Sequence, residues 1–207
     1  MHTREQYEAV LSLCIEHDIW LVSDDVYLPL VEPENRVSAA SLPGADKVCV
    51  TICSLSKSHR MTGWRVGWVV APLALAEHIG RLSLCMHYGM PPFIQDAARK
   101  ALESDDISAT VRAAMRERRT LVHQTLSPTN GVTLFDSGVG MFVVLDVSAT
   151  GMTAEAFATR LLERHNVSTL PCDGFGPAGK YLLRVGLCVD GNQLRTACER
   201  INQFIRE

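Results

Sequence analysis

The sequence predicts an α/β core with a mostly parallel sheet, followed by a smaller α+β unit. Three observations carry this. The runs IWLVS at 19–23, VCVTIC at 48–53 and VGWVV at 66–70 are near-continuously apolar, as strands covered on both faces by helices are. A helical pattern precedes the first of them. After Pro72 the texture changes to long helices and then to strands separated by turn-rich stretches.

Taken in order, Thr3 and Gln6 can form a capping box, and Tyr7, Val10, Leu11 and Cys14 repeat at helical spacing up to about His17. The first strand ends in two acids, Asp24 and Asp25. Pro29, Pro33, Pro43 and Gly44 make residues 29–46 mostly loop. Helices are expected at 73–86, from Pro91–Pro92 to about Leu102, and at 107–126. SPTNGVTLFDSGVG at 127–140 reads as a turn-rich lead into the strand MFVVLDV. A helix at 153–164, a strand near VSTL, a glycine-rich loop at 173–179, the strand YLLRVGL and a helix from 190 complete the chain. The domain boundary falls within the helices of residues 73–127, and we set the two domains at 1–106 and 107–207.

The bulk numbers exclude some classes. A chain of 207 residues, 47% hydrophobic, can bury a sizeable core. A net charge of -3 gives no reason to expect nucleic acid or an anionic membrane as partner. No apolar stretch approaches the roughly 20 residues that span a bilayer, and MHTREQYEAV has no secretory signal pattern. Seven cysteines without a CxxC pair point to free thiols and a cytoplasmic, reducing setting.

The chemistry gathers at two strand ends. In open α/β sheets, ligands bind outside the carboxyl ends of strands. Asp24 stands at one such end; Ser54, Ser56 and Lys57 follow another, with Gly63, Arg65 and Gly67 shortly after. A lysine amine can join an aldehyde, and arginine and hydroxyls bind phosphate oxygens. A carboxylate can hold a proton on a ring nitrogen. That set suits pyridoxal 5'-phosphate. Taken singly, the SxSK stretch is a weak signal, and Asp24 is equally suited to capping a turn.

In their order these residues resemble the class I/II aminotransferases, of fold type I among pyridoxal-phosphate enzymes. The family's Ser-x-Ser-Lys followed by Gly-x-Arg-x-Gly reads here S54-L55-S56-K57 and G63-W64-R65-V66-G67, and its Asp-x-x-Tyr reads D24-D25-V26-Y27. GMF at 140–142 and Gln95 in PPFIQDAA are further matches, and Arg184 in YLLRVGL matches the family's carboxylate-binding arginine. The resemblance implies that Lys57 bonds the cofactor and shuttles the proton, that Asp24 pairs with the pyridine nitrogen, and that Tyr27 bonds the ring oxygen. It implies that Ser54, Ser56 and Arg65 bind the phosphate and that Arg184 binds the substrate carboxylate. The two glycines are expected to serve backbone fit. The implied reaction moves an amino group from an L-amino acid to a 2-oxo acid, with arginine and pyruvate among the candidates, in a homodimer.

Three family elements have no match here: a glycine turn capping the phosphate, an aromatic stacked on the ring, and an asparagine in an Asn-Pro-x-x-Pro-Thr-Gly stretch. The chain is therefore expected to be the C-terminal half only of such an enzyme, with its activity crippled. The alternative is a non-catalytic structural remnant of the fold. Asp25 stands where the family often has glutamate, and Ser58 and His59 replace aromatic character after the lysine. Cys14 with His17, and Cys49 with Cys53, lack further ligands at zinc spacing, so packing is favoured for them. RAAMRERR at 112–119 reads as a solvated helix face, and GFGPAG at 174–179 as a turn.

Overall fold

The computed structural model describes residues 2–126 and 132–207; the expected turn at 127–131 lies outside the described residues. The chain divides into two units, Met1–Arg112 and Ala113–Glu207.

In the first unit, α1 (Arg4–Glu16) opens on the expected capping box, in which Thr3 and Gln6 satisfy each other's backbone N–H. Then come β1 (Leu21–Asp24), single 3-10 turns at Leu28–Leu30, Pro33–Asn35 and Ala39–Ser41, and the short α2 (Ala45–Val48). Next are β2 (Cys49–Ser54), the four-residue α3 (Leu55–Ser58), a 3-10 turn at Thr62–Trp64 and β3 (Gly67–Val70). Two helices follow, α4 (Leu73–His87) and α5 (Pro92–Leu102), and α6 (Asp106–Thr125) runs on into the second unit. Pro91 and Pro92 start α5 where proline's missing N–H costs nothing.

The expectation of a mostly parallel sheet is corrected. β1 and β2 pair in parallel, with Asp24 opposite Ile52, but β3 returns antiparallel, with Gly67 opposite Ser54. The reason lies in the connection. Residues 55–66 form only one helical turn and one 3-10 turn, too little for the crossover helix that a parallel neighbour requires. Burial differs as well. Trp20, Val22 and every residue of β3 are exposed, and no residue of α4 is buried. Two small clusters contribute to the core of this unit, beside the buried Leu30, Val31 and Val50. Leu11, Ala39, Leu42 and Val48 form one; Leu55, Met61, Val66 and Ala98 form the other.

The second unit holds a four-stranded, wholly antiparallel sheet in the order β4-β5-β7-β6. Its strands are β4 (Thr133–Phe135), β5 (Phe142–Asp146), β6 (Leu170–Pro171) and β7 (Leu182–Gly186). The sequence does not predict β4, because three residues between turn formers carry almost no period. Val143, Leu145, Leu183 and Val185 alternate onto the buried face. Helices α7 (Ala154–His165) and α8 (Gly191–Arg206) supply Phe157, Leu161, Leu194 and Ile201 to the same core. Phe157 and Phe204 meet edge to face at 4.8 Å. Cys198 lies among them, and burial pushes its thiol up to about 11, which leaves it inert. The segment 173–179 forms two 3-10 turns. A side chain at Gly179 would collide with the Cys172 carbonyl.

Of the arginines of residues 112–119, Arg116 lies on an exposed face as expected, but Arg112 and Arg118 are half-buried and Arg119 is buried. Met115, Arg119, Val122 and Leu126 share one buried helical stripe, which places Arg119 inside the apolar seam. Its guanidinium is satisfied there by Asp136 at 2.7 Å and the Gly140 carbonyl at 3.0 Å. His123 Nε2 lies 2.8 Å from the other Asp136 oxygen, and the Gly138 N–H donates to the first. Arg118 donates to the Leu187 carbonyl, and Arg112 pairs with Glu32 at 2.9 Å within the first unit. Removing one partner of a buried pair strands the other's charge. Asp136→Asn should therefore cost roughly 3 kcal/mol, read as a lowered urea midpoint. Glu117→Gln, an exposed change on the same helix, should cost less than about 0.5 kcal/mol.

Candidate active site

Six of the seven residues singled out above lie in the first unit, at the carboxyl ends of the two parallel strands β1 and β2 and in the connection that follows β2. Asp24 ends β1 with its carboxylate exposed, accepting the Val26 N–H at 3.2 Å. That is the turn-capping contact weighed from sequence, and it occupies only one carboxylate oxygen. Asp25, one residue on, points the other way and is buried, held by Ser23 Oγ at 2.6 Å and Ser38 Oγ at 2.7 Å. Strand alternation explains the division: Ser23 and Asp25 share the inner face, leaving Asp24 on the outer one. Tyr27 is half-buried at the start of the Leu28–Leu30 turn.

Ser54 organises the other strand end. Its hydroxyl caps α3 by accepting the Ser56 N–H at 3.0 Å and donates to the Val66 carbonyl at 3.1 Å. Leu55, fully buried against Met61, Val66 and Ala98, anchors this turn. Ser56 and Lys57 are half-buried, and the Lys57 amine has no ion pair or hydrogen bond among the described residues. Arg65 sits in the left-handed region at φ 52°, with its guanidinium exposed and one N–H on the Thr62 carbonyl at 3.0 Å. A non-glycine residue there is strained, so the surrounding chain must hold it.

The glycines divide. A Cβ at Gly67 would stand 2.6 Å from the Cys53 carbonyl oxygen, so this position admits only glycine without a shift of the strand. At Gly63 a Cβ would meet nothing within 4 Å. Backbone fit thus explains one of the pair. His59, unremarked as a site from sequence, closes the lysine turn: its Nδ1 lies 2.8 Å from the buried Ser58 hydroxyl. Burial holds its pKa below the ordinary imidazole range, although a bond to the Ala101 carbonyl and the charge of Asp105 oppose that shift. Cys53, beside Ser54, has its thiol pKa raised by burial and then by Asp25 and Asp24.

Arg184 lies in the second unit, on the interior strand β7, not on an edge strand. It is half-buried, and its guanidinium carbon stands 4.7 Å from the centre of the Phe142 ring.

The profile of the family described as aminotransferase class I and II matches residues 1–201. The chain belongs to the class I and II aminotransferases. Among curated relatives of this family, the arginine–pyruvate transaminase AruH of Pseudomonas aeruginosa is 49% identical over 200 residues, covering 96% of this chain and 51% of its own length. An LL-diaminopimelate aminotransferase of Nitratidesulfovibrio vulgaris is 30% identical over 201 residues, covering 96% and 51%. The solved aromatic aminotransferase of Pyrococcus horikoshii superposes with a TM-score of 0.91 at 28% identity, covering 99% of this chain and 55% of its own. The expectation of a match to a C-terminal half only is therefore corrected: the aminotransferase likeness runs through nearly the whole of this chain. The chain spans about half the length of the curated relatives it matches. Among the described residues, no helix is long and apolar enough to cross a membrane.

The donor set fits the cofactor that the aminotransferase family uses. A free amine, four hydroxyl or guanidinium groups and one carboxylate with an open oxygen surround two adjacent strand ends. Two outcomes follow from this geometry. Gly67→Ala should cost roughly 1–3 kcal/mol by forcing β3 off β2, read as a lower unfolding midpoint, whereas Gly63→Ala should not destabilise. For His59, a depressed folded-state pKa means that the unfolded chain binds the extra proton first. Stability should thus fall as pH drops below the ordinary imidazole value of about 6.5, by more in the wild type than in His59→Gln.

Proposed function

We propose that the protein is a pyridoxal-phosphate-dependent aminotransferase that moves an amino group from an L-amino acid to a 2-oxo acid. The observation that carries this is the Lys57 amine, half-buried and without a partner among the described residues, in a turn bounded by Ser54 and Gly67. Arg65 lies on the same turn, and Asp24 ends the neighbouring strand.

Each residue then has a task. Lys57 would attach the cofactor and, once released, move the proton at the substrate α-carbon. Asp24 would favour the protonated form of the ring nitrogen by its charge. Tyr27 would hydrogen-bond the ring oxygen. Ser56 and Arg65 would take the phosphate with hydroxyl and guanidinium donors, joined by Ser54 when its O–H turns from the Val66 carbonyl to the phosphate. Arg184 would take the α-carboxylate of the amino acid and of the 2-oxo acid. When bound, the cofactor supplies an electron sink for the α-carbon. A homodimer is part of the same proposal.

For the substrates, arginine as donor and pyruvate as acceptor come first, because the relative that is 49% identical bears those names.

Borohydride reduction of the cofactor-treated protein and peptide mapping should place the label on Lys57, and Lys57→Ala should lose it. Alanine formation from pyruvate with arginine should fall by roughly 10²–10⁴-fold in that variant. A label on another lysine, or none, would overturn the assignment. The accompanying cofactor titration measures how tightly the 207-residue chain holds pyridoxal phosphate.

A further inference from the structure

Arg184 raises a question that its proposed task leaves open. A long cation on a strand has many rotamers, and binding a carboxylate costs the entropy of choosing one. In most proteins such an arginine is held by an acid. Here a carboxylate, that of Asp146, stands at a cross-strand diagonal position and does not pair with it.

The register shows this. Arg184 stands directly opposite Val144 on β5 and opposite Leu170 on β6. Its two diagonal neighbours on β5, on the same face, are Phe142 and Asp146. Asp146 turns its carboxylate to the Ser148 N–H at 2.8 Å, and no described carboxylate lies within ion-pair distance of Arg184. The guanidinium goes instead to Phe142, 4.7 Å from the ring centre, inside the range of a cation–π contact. Gly186, directly opposite Phe142, has nothing within 4 Å of where its Cβ would be, so the ring does not lie over its own cross-strand partner. The entry to β5 is fixed as well: two residues before Phe142, the Gly140 carbonyl is bound by the buried Arg119.

We propose that Phe142 is a positioning residue for Arg184, holding its guanidinium pre-oriented on the open face of the sheet with its charge left uncompensated for a substrate carboxylate. This rests on the assignment of Arg184 as the carboxylate-binding group. An aromatic face suits this purpose better than an acid. It fixes the cation's direction without neutralising it, so an incoming carboxylate displaces no competing anion.

The test needs neither cofactor nor turnover. In chain labelled with ¹⁵N-arginine, the Arg184 side-chain signal, assigned by its loss in Arg184→Lys, should carry a ring-current shift from Phe142. Pyruvate should perturb that signal in a saturable titration. Phe142→Leu should abolish the ring-current shift and weaken pyruvate binding roughly fivefold to tenfold, while Phe142→Tyr should retain both. An Arg184 signal without a ring-current shift in the wild type would overturn the proposal without any variant. So would pyruvate affinity unchanged in Phe142→Leu, or a tyrosine variant as weak as the leucine one. Wild-type signals that ignore pyruvate, alongside a Lys57 that labels as expected, would sink this inference alone. Failed labelling of Lys57 would sink the aminotransferase reading whatever Arg184 does.

Discussion

The close approach of Gly67 to the Cys53 carbonyl is the constraint on which the candidate site depends. It lets β3 lie against the last residue of β2, and so closes residues 55–66 into a loop with a fixed base. Everything proposed for that loop follows from the closure. Ser54 can bridge from the start of α3 to the Val66 carbonyl only because the two strand ends are neighbours. Arg65 is held at a strained left-handed φ by the same return. Leu55 turns inward and thereby turns Lys57 to the half-buried side of a helix too short to stand by its own hydrogen bonds. A loop of this length, pinned at its base and plugged by one leucine, presents an amine and a guanidinium with little freedom to lose on binding.

The arginine cluster of α6 teaches a different lesson about charge. Read as a run, RAAMRERR is a basic face; read at helical spacing, its fourth arginine falls between Met115 and Val122 on the buried stripe. Burying a guanidinium is tolerable only if its donors are met, and Asp136 with the Gly140 carbonyl meets them. The result is a tether on the segment between β4 and β5. The charge belongs to the fold, and its partners explain why a chain with net charge -3 keeps a dense basic stretch.

What was legible in the sequence divides along physical lines. Helices were readable to within a residue or two wherever a local cap or a proline marks the start, as at Thr3, Pro92 and Asp190. The site motif was legible as a set of residue types. Strand direction was not, because it depends on whether the connection can cross the sheet, and the turns in 55–66 were not visible as apolar period. Nor was burial: the apolar runs at β1 and β3 form strands whose side chains lie largely exposed. Asp24 and Asp25 were distinguishable in principle, since alternation from Ser23 predicts which acid turns inward. The role of Phe142 was hidden because a cross-strand diagonal exists only once the register does.

The two units also differ in how they are held. The second has a filled core in which Phe157, Leu161, Leu183, Leu194 and Ile201 are all fully buried. The first packs its apolar residues in smaller groups, carries exposed apolar strands, and includes a fifteen-residue helix with no buried side chain. Yet the first unit bears Lys57, Arg65 and Asp24. A ligand that binds only the folded state adds its binding free energy to stability, and that addition matters most where the apolar core is smallest. A group engaging the amine, the guanidinium and the carboxylate at once would cross-link the loop after β2 to the end of β1. In such an arrangement the site is not simply mounted on a finished scaffold. Its occupancy contributes to holding together the strands that display it.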